Sequence, residues 1–187
     1  MTNIGIILGS TRPGRVGHQV AEWVAKQGSQ HEGIDAEVVD IKDYDLPVFD
    51  EPQSPLLGSY AHAHTRQWSN KIAEFDGYVF VTPEYNRSIP SALKNAIDYL
   101  YGEWNNKAAG FVSYGSNVGG ARAVEHLRLI AAGLQLVGVR TEVSLSLATD
   151  FAGFTGFTPS GRHNTMLRQL FTEVTAWADA LAPLRLP

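Results

Sequence analysis

A short polar loop, residues 83–88 (PEYNRS), lies between an apolar run at 77–82 and an amphipathic segment that begins near Pro90. The apolar run predicts a buried strand, and the segment after it predicts a helix. Between them, Tyr85 offers a flat aromatic wall and Asn86 offers an amide that both donates and accepts hydrogen bonds. Open α/β sheets bind ligands at such strand ends. The loop predicts a site for a planar ring; the alternative is a polar connection with an exposed tyrosine.

A second loop, residues 9–17 (GSTRPGRVG), joins an apolar run to another amphipathic segment and suits an anion. Free backbone N–H groups and the helix dipole attract anions at the start of a helix. Ser10 adds a hydroxyl, while Arg12 and Arg15 add forked cations that match phosphate. The loop matches neither GxxxxGK[ST] nor GxGxxG, so a single terminal phosphate fits it better than a pyrophosphate. The alternative is a solvated turn with two surface arginines.

A third loop, residues 114–122 (YGSNVGGAR), is rich in glycine and again follows an apolar run. Glycine lets backbone N–H groups approach a ligand closely. Such fixed donors would stabilise negative charge that develops on the polar edge of a ring. The alternative is a turn that needs its glycines for backbone angles alone.

Predicted elements place these three loops side by side. Five strands alternate with five helices, which predicts one α/β domain over residues 1–187, a parallel sheet of order 2-1-3-4-5 with helices on both faces. The loops follow the first, third and fourth strands, whose carboxyl ends would be neighbours. The strands are predicted at 4–8, 36–41, 78–81, 107–114 and 137–147, the last with alternation clear from residue 143 on.

Composition excludes several other classes of protein. The 187 residues include no cysteine, which excludes disulfides and cysteine zinc sites. A net charge of −4 argues against a nucleic-acid partner. No signal-peptide pattern and no apolar run of about 20 residues is present, so we expect a cytoplasmic protein with no membrane partner. The six histidines lack a metal-binding spacing, so no metal site is expected.

Three blocks of this sequence, in the right order, resemble the NADPH-dependent FMN reductase family. They are residues 9–12 (GSTR), 83–86 (PEYN) with 93–98 (LKNAID), and 115–116 (GS) with 119–122 (GGAR), and the middle block is the most specific. The resemblance covers about residues 3–147 and implies a flavodoxin-like fold. It implies that the first block holds the FMN phosphate and the other two hold the ring. The cofactor-binding residues nominated by the blocks or by position are Ser10, Arg12, Arg15, Val16, Gly17, Pro83, Glu84, Tyr85, Asn86, Gly115, Ser116 and Gly119.

The resemblance also implies a function. NADPH, or NADH, would pass hydride to bound FMN, which would pass it to a small acceptor by ping-pong: free flavin, a quinone, an azo or nitro compound, or a metal ion. No side chain is expected to be catalytic, because the flavin supplies the chemistry. A homodimer or homotetramer is expected. The alternatives are a flavodoxin-like carrier of single electrons and a sensor domain without turnover.

A segment rich in phenylalanine and glycine, residues 149–160, follows the last predicted strand. Phe151, Phe154 and Phe157 either cover the flavin or belong to a tethered surface loop. We favour the tethered loop.

Overall fold

One parallel sheet forms the centre of the protein. The computed structural model of the chain describes residues 1–185, and its five long strands pair in the order β2-β1-β3-β4-β5. Every ladder of this five-stranded sheet is parallel, so the predicted sheet and strand order are confirmed. The strands are β1 (Thr2–Leu8), β2 (Ile34–Asp40), β3 (Gly77–Pro83), β4 (Lys107–Gly115) and β5 (Leu136–Ser146).

Helices cover both faces of this sheet, as predicted. The five are α1 (Gly17–Gly28), α2 (Ala63–Ala73), α3 (Ser91–Asp98), α4 (Ala121–Gly133) and α5 (Gly161–Leu181). Helices α1 and α5 pack on Ile4 and Ile6 of β1, while α2, α3 and α4 pack on Phe80 and Phe111. Both faces of the sheet are therefore buried. For this reason β3 is buried along its whole length, and its sequence does not alternate between apolar and polar residues.

Strand β5 is irregular near its start. Ala109 pairs with Gly138, yet Phe111 pairs with Glu142, so β5 contains two extra residues at this point. An insertion of two residues keeps the same side chains facing inward on both sides of the irregularity. Val139, Val143 and Leu145 are accordingly buried in one phase, and the alternation in the sequence from Val143 on belongs to this phase.

A small hairpin follows β5 where the sequence predicted an irregular loop. It consists of β6 (Phe151–Ala152) and β7 (Gly156–Phe157), which pair antiparallel. Strands of two residues are too short for their alternation to be recognised. Among residues 1–185, no helix is long and apolar enough to cross a membrane.

Lys107, the first residue of β4, is buried at the amino end of the sheet. Its side chain is only 6% exposed. The ammonium group donates hydrogen bonds to the carbonyl of Ile72 (3.2 Å), in the last turn of α2, and to the hydroxyl of Tyr78 (3.0 Å). Burial, with Arg185 nearby, lowers the pKa of Lys107 from 10.5 to about 8.

The lowered pKa of Lys107 predicts how stability depends on pH. Between pH 8 and 10.5 the unfolded chain keeps a proton that the folded chain has released, so the free energy of unfolding rises with pH. We expect a gain of about 1 kcal/mol between pH 7.5 and 9. Urea unfolding at a series of pH values measures it. In Lys107→Met the rise should disappear; an equal rise in the variant would show that other groups cause it.

Candidate functional site

The three predicted loops meet at the carboxyl ends of β1, β3 and β4 and enclose a cavity of about 380 Å³. This volume lies within the range of small-molecule sites, and the position is the switch point at which open α/β sheets bind ligands. The cavity is lined by Arg12, Gly14, Arg15, Val16, Pro83, Glu84, Tyr85, Tyr114, Gly115, Ser116, Leu147, Phe154 and Thr155.

Eight of the twelve predicted site residues line the cavity, and the other four are Ser10, Gly17, Asn86 and Gly119. Two of these four shape its walls. The hydroxyl of Ser10 is 3.0 Å from that of Tyr85 and joins the first loop to the second. Gly17 leaves room for the hydroxyl of Tyr114, which would be 2.5 Å from a Cβ at this position.

The two arginines of the first loop have different environments. Arg15 is 14% exposed, forms an ion pair with Asp40 at the end of β2, and donates to the carbonyl of Ser10. The alternative of a solvated turn with two surface arginines is therefore wrong for Arg15, whose contacts hold the first loop against the end of β2. Arg12 is exposed, and its guanidinium makes no hydrogen bond or ion pair with the residues described. Helix α1 begins directly after the loop, so Arg12 is the cation available to an anion there.

The second loop is a tight turn. Tyr85 and Ser88 exchange backbone hydrogen bonds of 2.9 and 3.0 Å. Between them, Asn86 and Arg87 have φ values of 49° and 70°, as in a type I′ turn. Asparagine tolerates this left-handed conformation better than most residues. Asn86 therefore has a conformational reason to be in this loop, besides the ligand contact predicted for it.

Glu84 lines the cavity and has one buried carboxylate oxygen without a partner among the residues described. One carboxylate oxygen accepts from Arg122 at 3.0 Å, and the other is buried without a partner among residues 1–185. A buried acceptor left unpaired is unfavourable by about 1–3 kcal/mol. A ligand that offers an N–H group, as a flavin ring does, would satisfy it. Arg122, which pairs with this carboxylate, belongs to the third block of the family resemblance but is not among the twelve cofactor-binding residues predicted from it.

The third loop depends on its glycines. Gly119 and Gly120 have φ values of 62° and 88°, and the hydroxyl of Ser113 donates to the carbonyl of Gly119 at 2.8 Å. A Cβ on Gly115 would lie 2.9 Å from the backbone nitrogen of Gly120. The backbone thus folds back on itself, as the glycine-rich sequence indicated.

Five residues that line the cavity are not among the twelve nominated: Gly14, Tyr114, Leu147, Phe154 and Thr155. Phe154 is one of the three phenylalanines for which the sequence favours a tethered loop over a cover for the flavin. Tyr114 ends β4 and opens the third loop, so its position was available as a signal. Burial raises the pKa of its hydroxyl, which therefore stays a neutral donor at physiological pH. Phe154 and Thr155 belong to the hairpin, beyond the stretch that resembles the family.

A five-stranded parallel sheet in this order, with a ligand cavity at its switch point, defines a flavodoxin-like protein. The model of one family, NADPH-dependent FMN reductase, matches residues 2–150. The chain belongs to this family. The predicted family and fold are thus confirmed, as are the enzyme class and the use of FMN and NAD(P)H that the family implies.

Individual relatives agree. The chain is 42% identical over 147 residues to an NAD(P)H-dependent FMN reductase of Schizosaccharomyces pombe, covering 78% of this chain and 73% of the relative. It is 36% identical over 131 residues to a quinone reductase of Escherichia coli, covering 66% of each chain. Among solved structures, the flavoenzyme NAD(P)H:(acceptor) oxidoreductase of Paracoccus denitrificans superposes with a TM-score of 0.68 at 25% identity, covering 98% of both chains.

Proposed function

We propose that this protein is an FMN-dependent NAD(P)H oxidoreductase whose acceptors are small molecules, with quinones as the first class to test. The observation that carries the proposal is the cavity at the carboxyl ends of β1, β3 and β4, where an anion-binding turn lies beside an aromatic and polar wall. The names of relatives support it, since they include an FMN reductase and a quinone reductase.

The residues of the cavity fit FMN. The first loop, with the start of α1 and the unpaired Arg12, would hold the phosphate. The second and third loops would hold the ring, with the free carboxylate oxygen of Glu84 accepting an N–H and the glycine-rich backbone near Gly115 donating. When bound, FMN supplies the hydride-transfer chemistry. The protein orients the cofactor, and NAD(P)⁺ would leave before the acceptor binds, which is the order that ping-pong kinetics describes.

One spectroscopic experiment tests this function. The protein is loaded with FMN without oxygen, and its absorbance is recorded before and after one equivalent of NADPH, then after a quinone. We expect NADPH to remove the visible absorbance of oxidised flavin and the quinone to restore it. Bound flavin that NADPH leaves oxidised would favour a single-electron carrier, and a protein that binds no FMN would overturn the site. Comparing the rates at which NADH and NADPH reduce the bound flavin decides the dinucleotide preference.

Homo-oligomeric assembly is part of this proposal. A groove of about 440 Å³ between α3 and α4 lies beside the second loop and is lined by Ser88, Ile89, Lys94, His126, Leu129 and Ile130. Leu129 is 75% exposed in this groove, and exposed apolar surface of this kind is typical of interfaces. Mass in solution distinguishes a dimer from a tetramer. A cytoplasmic location stays a prediction.

A further inference from the structure

The hairpin after β5 presents one aromatic ring at the mouth of the cavity. Its tip is Gly153-Phe154-Thr155, and both Phe154 and Thr155 line the cavity. Phe154 is 67% exposed. The ring therefore gains little from burial in the protein itself, although it lies at a cavity whose wall also includes the aromatic rings of Tyr85 and Tyr114.

Phe154 is also an unfavourable residue for the turn that it occupies. Thr155 donates to the carbonyl of Ala152 at 3.2 Å, and the two residues between them have φ values of 59° and 63°. Positive φ at both central positions is the pattern of a type I′ turn, which favours glycine or asparagine there. Gly153 meets this preference and Phe154 does not. Since neither burial nor turn geometry favours phenylalanine here, the reason for the ring lies outside the hairpin.

The rest of the hairpin is held firmly. Phe151 is buried, and its ring centroid is 6.1 Å from that of Tyr114 in the cavity wall. Phe157 packs edge-on against Trp23 with centroids 5.3 Å apart. Gln19 of α1 donates to the carbonyl of Thr155 at 2.8 Å and accepts from the N–H of Phe157 at 3.0 Å. These contacts fix the backbone on both sides of Phe154 and so hold this residue at the mouth of the cavity.

We infer that Phe154 packs against the planar ring of the reacting partner, the nicotinamide of NAD(P)H or a quinone, and so contributes to substrate specificity. Offset or edge-on packing of flat rings is favourable and does not require a hydrogen bond. The residue lies outside residues 2–150, the part matched by the family model. The inference rests on the proposed function. It adds that Phe154 favours reaction partners that carry a planar ring.

Two variants remove the ring while suiting the turn, Phe154→Gly and Phe154→Asn, and Phe154→Tyr keeps it. The flavin-loaded enzymes are compared in two arms. In the first, NADPH reduces the bound flavin in the absence of oxygen. In the second, the reduced flavin is reoxidised by 1,4-benzoquinone or, as a control acceptor that has no ring, by ferricyanide. In at least one of the ring-partner reactions, we expect both ring-less variants to lose about five- to tenfold in apparent second-order rate constant. Phe154→Tyr should retain most of the rate, and ferricyanide reoxidation should not change.

Each outcome decides the inference. Loss in the NADPH arm identifies the nicotinamide as the partner, and loss in the quinone arm identifies the acceptor. The inference is wrong if the ring-less variants keep unchanged rates in both arms, or if they lose as much with ferricyanide as with the quinone. It is also wrong if they bind FMN more weakly, because Phe154 would then be a contact of the cofactor. The melting temperature of the ring-less variants should be unchanged or up to about 2 °C higher, because the turn strain is relieved. A failure of the proposed function is distinguishable from a failure of this inference, because the unmodified protein would then not bind FMN or its bound flavin would not be reduced by NADPH.

Discussion

Replacing Gly120 by alanine is expected to destabilise the protein by about 3 kcal/mol, which corresponds to a fall in melting temperature of about 6–12 °C. Gly120 precedes α4 with a φ of 88°, a left-handed conformation that is unfavourable for alanine by about 1–2 kcal/mol. The new methyl group would also lie 2.7 Å from Cβ of Ser113 and 2.8 Å from the backbone nitrogen of Tyr114. Neither atom is at the end of a flexible side chain, so β4 or the third loop must move.

A matched control separates these two effects. Gly33 has a φ of 82°, and a Cβ there would meet nothing within 4 Å. Gly33→Ala should therefore show the conformational effect alone, about 1–2 kcal/mol. Urea unfolding of both variants measures the difference. Equal losses would mean that the contacts with β4 contribute nothing. Because Tyr114 and the third loop line the cavity, we also expect Gly120→Ala to weaken FMN binding, which Gly33→Ala should leave unchanged.

The fold could be predicted because its signals are local and strong. An uninterrupted apolar run such as β3 indicates a strand buried on both faces, and alternation of strands with helices restricts the topology to a few arrangements. The same rule of topology places the three loops side by side without any use of the family resemblance. The hairpin at 151–157 lacked such a signal, because each of its strands has two residues and its stability comes from Trp23 and Gln19, more than 130 positions away.

Within the site, the sequence predicted which loops meet but not how their side chains pair. Arg15 and Asp40 lie 25 positions apart and are brought together because β1 and β2 pair in register, with Leu8 opposite Asp40. Arg122 and Glu84 come from different loops and meet only once β3 and β4 are adjacent. Residue type alone could not distinguish a guanidinium committed to a carboxylate from one available to a ligand.

The contrast between the two arginines leads to a prediction for Arg12. Arg12→Ala should raise the dissociation constant for FMN about 10- to 100-fold, because a hydrogen bond to a charged group contributes about 1.5–3 kcal/mol. Riboflavin lacks the phosphate, so its affinity should stay within about twofold of the unmodified protein's. Quenching of flavin fluorescence measures both constants. Stability should not change, since the Arg12 side chain makes no hydrogen bond or ion pair within residues 1–185.

Two comparisons make the Arg12 result specific. Arg140→Ala removes the same charge from an exposed position on β5 and should leave both affinities unchanged, which controls for the net charge of the protein. Arg15→Ala removes the pair with Asp40 and the bond to the Ser10 carbonyl, so it should lower stability as well as FMN affinity. Equal weakening of FMN and riboflavin in Arg12→Ala would contradict the phosphate assignment. If Arg12 binds the phosphate and has no structural role, Arg12→Ala must weaken FMN binding, leave riboflavin binding unchanged and leave the stability of the protein unchanged.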